Sequence, residues 1–274
     1  MAIITLTSDF GLKDYHVAAM KGAILSELPD AKLIDISHEI SPFNLIETAY
    51  IVKNAITNFP KGTVNIITVD SEYSIDNKLI AAKINDQYFV TADNGILSFL
   101  KNEFSEFKIF EINIGNQNES SSVPTLVKTA CHIARGGTME IIGKPIAETK
   151  EMKVMKPLIT DDGSKIIGSV IYIDNYGNVI TNIKRDFFNL AKGNYTNFEI
   201  IARNHKWKKI QNKYNEIENF NSANKEIKDG QKLALFNSAD FLEIAIYRSN
   251  LKTVGGASTL LGLNYLDTIT INFI

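Results

Sequence analysis

The sequence predicts an α/β N-terminal domain with a mixed central sheet, residues 1–156, followed by a smaller all-β, barrel-like C-terminal domain, residues 157–274. Three observations lead there. In the first half, short β-type runs alternate with segments whose apolar residues recur at three- and four-residue spacing. Two of those runs are separated only by Asn85-Asp86, which reads as a hairpin turn and makes the sheet mixed. Beyond the polar stretch Lys150–Ser164, with its Asp161-Asp162-Gly163, β-type runs follow one another with no long helical pattern between them.

Ile3–Leu6 opens the chain as a strand. Val17, Met20, Ala23, Ile24 and Leu28 then share one face of a helix over Tyr15–Leu28, which Pro29 follows. Lys32–Ile36 is the next strand, Leu45 to Asn58 a second helix, and Thr63–Val69 a strongly apolar strand. Leu79–Ile84 and Gln87–Thr91 flank the hairpin turn, Phe107–Ile112 is a further strand, and Pro124–Arg135 is a helix whose core face is Leu126, Ala130, Ile133 and Ala134. In the second half the β-type runs are Ile166–Ile173, Asn178–Ile183, Asn197–Ala202, Lys206–Ile210, Lys232–Phe236 and Ser258–Phe273. Arg203-Asn204 and Lys228-Asp229-Gly230 are turns, and the Asn/Lys/Glu-rich tract Asn212–Lys228 reads as a solvated insertion.

Composition narrows the function classes. A chain of 274 residues, 45% hydrophobic and 22% charged, is long enough to bury a core and unlike a collagenous or disordered chain. With 29 basic and 31 acidic side chains, no global field marks nucleic acid or an anionic membrane as a partner. Cys131 is the single cysteine, so intramolecular disulfides and multi-cysteine metal sites are excluded and a cytoplasmic location is expected. The apolar run at the N-terminus is too short for a signal peptide, and no stretch is long enough to span a membrane.

Polar residues with chemical capacity gather where strands end. Thr7-Ser8-Asp9-Phe10-Gly11 follows the first strand, at the edge where open α/β sheets place ligands. Asp9 either accepts two ribose hydroxyls or caps the following turn. The segment lacks the repeated glycines of a phosphate loop. Asp70 ends the third strand and Asp93-Asn94-Gly95 follows the hairpin, so the two acidic strand ends converge, unless the second is a helix cap and the first a solvated carboxylate. Thr125, Lys128, Thr129 and His132 form a polar stripe, so His132 faces solvent or a cleft. The four histidines have no ligand-type spacing, so no metal is expected. Asp174-Asn175-Tyr176-Gly177-Asn178 is either a turn or a set able to hold an amine and stack on a purine. Asn237-Ser238-Ala239-Asp240-Phe241 either reverses the chain or presents amides to a carboxylate. Arg203, Lys206, Lys208 and Lys209 flank Trp207 in a hairpin that spreads them over both faces, which argues against a nucleic-acid surface.

Five strings occur together in order: Thr7-Ser8-Asp9-Phe10-Gly11-Leu12 with Met20-Lys21-Gly22, Asp35-Ile36-Ser37-His38-Glu39-Ile40, Asp93-Asn94-Gly95, Ala130-Cys131-His132-Ile133-Ala134, and Ile173-Asp174-Asn175-Tyr176-Gly177-Asn178. In this the sequence resembles the S-adenosyl-L-methionine hydroxide adenosyltransferase family, relatives of the fluorinase and chlorinase enzymes. The resemblance implies hydrolysis of S-adenosyl-L-methionine to adenosine and methionine, without a cofactor, in a homotrimer whose sites lie between subunits. It implies that Asp9, with Phe10 beside it, grips the ribose, that Tyr176 and Asn178 contact the purine, and that Asp174 and Ser238 hold the amino-acid end. Asp70 and His132 then match two members of a water-orienting Asp-Arg-His set, while Asn77 occupies the arginine's place and Lys78 supplies the charge if the loop shifts by one residue. Halogenating relatives carry an extra loop in the N-terminal domain. Here Asp93-Asn94-Gly95 leads within a short stretch to the Phe107 strand, which favours water over halide. Asn77 also admits an alternative, a nucleoside-binding protein with lost or altered catalysis.

Overall fold

Apolar runs that are buried on both faces build the first sheet. The computed structural model describes residues 2–101, 107–114, 121–216 and 229–274. Its chain divides into two units, Met1–Lys153 and Val154–Ile274. The first runs β1 (Ile3–Thr7), α1 (His16–Glu27), β2 (Lys32–Ser37), α2 (Leu45–Ile56), β3 (Val64–Ile67), β4 (Leu79–Ile84), β5 (Gln87–Ala92), α3 (Ile96–Lys101), β6 (Phe107–Ile112), α4 (Val123–Ala134), α5 (Met139–Ile142) and β7 (Gly143–Ile146). The sheet order is β2-β1-β3-β5-β4-β6-β7, parallel from β2 to β5 and antiparallel from there on, which is the expected mixed topology. Asn85 and Asp86 turn the β4–β5 hairpin with φ of 46° and 62°, the left-handed pair that a two-residue loop requires.

Alternation along β4 shows how the two faces are filled. Leu79 and Ala81 join Ile4, Leu6, Met20, Ile24, Leu126 and Cys131 in one apolar cluster beneath α1 and α4. Ile80, Ala82 and Ile84 join Val52, Ile56, Phe89, Leu97 and Leu100 in the other, beneath α2 and α3. Asn44 caps α2 by accepting the Glu47 amide at 3.1 Å. The decisive feature for function lies at β1. The chain leaves it on one side for β2 and returns on the other as β3, so the carboxyl ends of β1 and β3 flank the crevice where strand order reverses.

The second unit contains β8 (Leu158–Ile159), β9 (Lys165–Ile173), β10 (Val179–Lys184), α6 (Arg185–Lys192), β11 (Phe198–Ala202), β12 (His205–Trp207), β13 (Lys232–Phe236), β14 (Phe241–Ile246), α7 (Ala257–Leu260) and β15 (Thr268–Phe273). All its named strand pairs are antiparallel, in the order β12-β11-β15-β9-β10-β14-β13 with β8 on β9. A bridge from Gln211 to Leu235 joins the chain beyond β12 to β13, drawing the two ends of the sheet together into a nearly closed barrel. Phe188 of α6 plugs it, with Phe198, Phe236 and Phe273 at ring-centroid distances of 5.2, 5.6 and 5.7 Å.

Two expected strands are shorter than the sequence suggests. Within Ser258–Phe273 the chain first forms α7 and then passes Gly262 at φ 65°, which delays β15 until Thr268. Within Lys206–Ile210 only the residues paired to β11 remain in a strand. Residues 217–228, most of the expected solvated insertion together with Lys228 of its closing turn, lie outside the described residues. Among the described residues no helix is long and apolar enough to cross a membrane.

Candidate active site

Asp9 and Asp70 leave adjacent parallel strands and line one cleft of ≈ 660 Å³, together with Phe10, Tyr15, Phe43, Ser71 and the first turn of α4. Asp9 does not cap α1, whose N-cap residue is Tyr15. Its Oδ2 accepts the Phe43 amide at 2.9 Å, and its Oδ1 has no protein partner among the described residues. One carboxylate oxygen thus ties down the loop before α2 while the other faces the cleft.

Asp70 is held in an unusual way. Its backbone is left-handed, with φ 48°, and its carbonyl accepts the Asn77 amide at 3.2 Å and the Asn94 amide at 3.0 Å. Asn94 also donates to the Val69 carbonyl at 3.0 Å, and Asn77 to that of Glu72 at 2.8 Å. Two side-chain amides therefore over-determine a backbone conformation that a non-glycine residue adopts at a cost of about 1–3 kcal/mol. The expected convergence of acidic groups is corrected accordingly. Asp93 turns to the Lys150 amide at 2.9 Å, and the neighbouring Asn94 is what joins the hairpin end to Asp70. Ser121 and Ser122 bring the N-terminus of α4 to the same cleft, where its partial positive charge favours an anion. Ser122 Oγ lies 3.3 Å from Ser71 Oγ.

His132 and Lys78 do not join this cluster. His132 belongs to the last turn of α4, the end remote from Ser122, and its Nε2 lies 3.0 Å from the Thr138 carbonyl. The ring rests against Gly137 and leaves no room there for a Cβ. Of its polar stripe, Thr125 and Thr129 are buried while Lys128 is exposed, so the stripe does not form one open face. Lys78 pairs with Glu111 Oε2 at 3.0 Å, because the β4–β6 pairing brings Glu111 beside it, and it takes no place beside Asp70. Exposed pairs of this kind contribute about 0–1 kcal/mol. His132→Ala and Lys78→Met are therefore expected to leave adenosine affinity within about twofold of the parent, since neither lines the cleft. Calorimetry checks this, and a loss of tenfold or more in either variant contradicts it.

In the second unit, Asp174, Tyr176 and Asn178 share the β9–β10 turn. Asp174 Oδ1 accepts the amides of Tyr176 at 2.9 Å and Asn178 at 2.8 Å, and Oδ2 accepts the Asn178 side-chain amide at 3.0 Å. Burial pushes the Asp174 carboxyl above its ordinary value, against the pull of these donors. Asn178 is buried and its Oδ1 has no partner among the described residues, whereas Tyr176 is 62% exposed. Ser238 is exposed in the β13–β14 turn, where Asn237 Oδ1 accepts the Ala239 and Phe241 amides at 3.0 and 3.2 Å.

The sequence reading missed Glu243, which is 2% exposed and accepts the Tyr214 hydroxyl at 2.6 Å. Burial pushes its carboxyl up from 4.5, opposed by Tyr214, reinforced by the Asp174 charge and opposed again by Asn237. An acid raised by folding contributes stability that is full below its unfolded value and drains as pH rises through its folded one. Glu243→Gln mimics the protonated acid. The variant is expected to melt with the parent below pH 4.5 and above it at neutral pH. Thermal melts across that range check the sign, and a constant difference at all pH values contradicts it.

Fold and cleft together define a two-unit protein with a cleft at the switch point of its mixed sheet. The model of the SAM hydroxide adenosyltransferase N-terminal domain matches residues 4–143, and that of the C-terminal domain matches residues 168–270. The (R)-S-adenosyl-L-methionine hydrolase of Methanocaldococcus jannaschii is 32% identical over 98% of this chain and 95% of its own. The fluorinase of Nocardia brasiliensis is 26% identical over 72% of this chain and 77% of its own. The crystal structure of an uncharacterized conserved protein from Thermotoga maritima superposes with a TM-score of 0.82 at 29% identity, covering 98% of this chain and 99% of that one. The chain belongs to the SAM hydroxide adenosyltransferase family.

Proposed function

We propose that the protein hydrolyses S-adenosyl-L-methionine to adenosine and L-methionine. The observation that carries this reading is the pair of carboxylates, Asp9 and Asp70, lining one cleft in a chain of this family. Asp9 accepts ribose hydroxyls through the oxygen that no protein donor occupies, and Phe10 lies against the nucleoside. Asp70 orients the attacking water and accepts its proton. As the oxygen–C5′ bond forms, the C5′–sulfur bond breaks and its electron pair leaves on sulfur. Methionine thus departs as a neutral thioether, and no acid or metal is needed at the leaving group. The α4 N-terminus favours the negative charge that develops on the water oxygen. Neither Lys78 nor His132 has a part in this scheme.

Asp174 and Ser238 hold the amino-acid end, and Tyr176 and Asn178 the purine, in a homotrimer that builds each site from two subunits. The exposed aromatic rim of the cleft, with Tyr15 at 73% and Phe43 at 71%, supports a second protein surface there. The enzyme works in the cytoplasm. Chromatography of the protein incubated with S-adenosyl-L-methionine is expected to show adenosine and methionine in equal amounts, and light scattering to give three chains per particle. If neither product exceeds the uncatalysed rate, or a 5′-halo-adenosine forms with chloride or fluoride, the hydrolase reading is wrong.

A further inference from the structure

A run of contacts outside the cleft lining, partly exposed at Lys21, exposed at Asp35 and buried at His38 and Ser8, ends at the Asp9 turn. Ser8 has no exposed surface and His38 is 3% exposed. Ser8 Oγ lies 2.6 Å from His38 Nδ1, His38 Nε2 lies 3.1 Å from Asp35 Oδ1, and Lys21 Nζ donates to Asp35 Oδ2 at 2.6 Å. The Phe10 amide donates to Ser8 Oγ over a longer 3.4 Å. Around this run the backbone is doubly tied, Ser8 N to the Ser37 carbonyl at 2.9 Å and Gly11 N to that of His38 at 2.7 Å.

The arrangement of donors favours one tautomer, because an ionised Asp35 only accepts and so calls for the ring proton on Nε2. An oxygen that accepts from Phe10 sends its own proton elsewhere, and His38 Nδ1 is the acceptor within reach. The ring proton then sits on Nε2, facing Asp35. That approach has hydrogen-bond length but is bent, so Asp35 holds the neutral ring by a weakened, charge-assisted hydrogen bond. Burial acts to raise the Asp35 carboxyl, yet hydrogen bonds from Lys21 and His38 outweigh it and keep the group below its ordinary value, ionised. The order serine, histidine, aspartate is that of a nucleophilic triad. A serine with no exposed surface does not meet a substrate, so its role is different.

We propose that His38 is a positioning residue for this site. As a neutral ring protonated on Nε2 and anchored by Asp35, it orients the Ser8 hydroxyl so that the Phe10 amide is held and Asp9 is presented to the cleft. The inference rests on the reading of Asp9 as the ribose ligand, and the test separates the two.

Nitrogen-15 spectra of the ligand-free protein are expected to show His38 protonated on Nε2 with Nδ1 accepting a hydrogen bond. A ring protonated on Nδ1 overturns the proposal. Two substitutions divide the ring's contacts between them. The Asn amide of His38→Asn reaches the place of Nδ1, and the Gln amide of His38→Gln reaches that of Nε2. Phe10 amide hydrogen exchange is expected to accelerate about tenfold in His38→Gln and to stay near the parent rate in His38→Asn. Adenosine affinity and KM should follow the same split, worsening about tenfold in His38→Gln with kcat within about twofold, and recovering in His38→Asn. Ser8→Ala carries the expectation of His38→Gln and guards against a histidine variant that fails to fold. Equal effects of the Asn and Gln substitutions, or a fall in kcat with KM unchanged, overturn the positioning role. If the parent neither binds adenosine nor turns over substrate, the functional reading fails, while ring and exchange measurements still decide the role of His38.

Discussion

Asp9→Ala is expected to weaken adenosine binding by about two to four orders of magnitude. Two charge-assisted hydrogen bonds to a ribose diol, at about 1.5–3 kcal/mol each, set that range. The fold should survive, because Asp9 does not cap α1 and its one side-chain hydrogen bond among the described residues is to the Phe43 amide. Losing that contact removes a single hydrogen bond, worth about 0.5–1.5 kcal/mol. Asp9→Asn separates the two functions of the side chain. Its carbonyl oxygen still accepts from Phe43, but the charge is gone, so affinity should fall by at least about tenfold with thermal stability near the parent's. Calorimetry with adenosine and a thermal melt on each variant decide the matter. Parental affinity in Asp9→Ala leaves Asp9 with only the structural task of holding the loop before α2.

Much of this site was legible in the sequence because it depends on strand ends. An apolar run closed by a carboxylate marks the end of a strand, and the edge of a sheet is where a ligand meets it. That rule put Asp9 and Asp70 at the sheet edge and left a cap and a solvated carboxylate open as alternatives, and the roles proposed for them came from the family resemblance. The hairpin at Asn85-Asp86 was equally plain, since a two-residue loop demands residues that tolerate positive φ. What stayed hidden depends on tertiary placement. The predicted helix already placed His132 near its C-terminal end, but the pattern did not say which end meets the cleft, and α4 meets it at its N-terminal turn. Alternation could not say that Lys78 would find Glu111, because the partner lies on β6, across a strand pairing that local pattern does not encode. Asn77 reads as the residue in the arginine's place and Asn94 as part of a helix cap, and their grip on the Asp70 carbonyl exists only once two separate loops meet. The eight residues of α6 are too few to display a helical period against flanking strands.

Asp70→Asn is expected to lower kcat by about two to four orders of magnitude, the range of a lost general base, while adenosine affinity stays near the parent's. The reasoning begins with the backbone. Asp and Asn tolerate the left-handed region better than other side chains, so the amide should sit at φ 48° much as the carboxylate does. Asn77 and Asn94 bind the Asp70 carbonyl and not its side chain, so both restraints persist in the variant. The amide, however, accepts no proton from water, which confines the damage to the chemical step. Asp70→Gly tests the backbone in turn. Glycine removes both the carboxylate and the strain, so this variant should be as inactive as Asp70→Asn yet more resistant to urea, by up to about 1 kcal/mol. Asp70→Ala, with a Cβ in the left-handed region and no polar group to settle there, should be the least stable of the three. The ranking of unfolding midpoints, Gly above Asn above Ala, reads out the strain separately from the chemistry. A kcat in Asp70→Asn within tenfold of the parent's removes Asp70 as the base, and the water would then need another acceptor in the cleft. An Asp70→Gly no more stable than the parent would mean that Asn77 and Asn94 fix a conformation aspartate already accepts without strain.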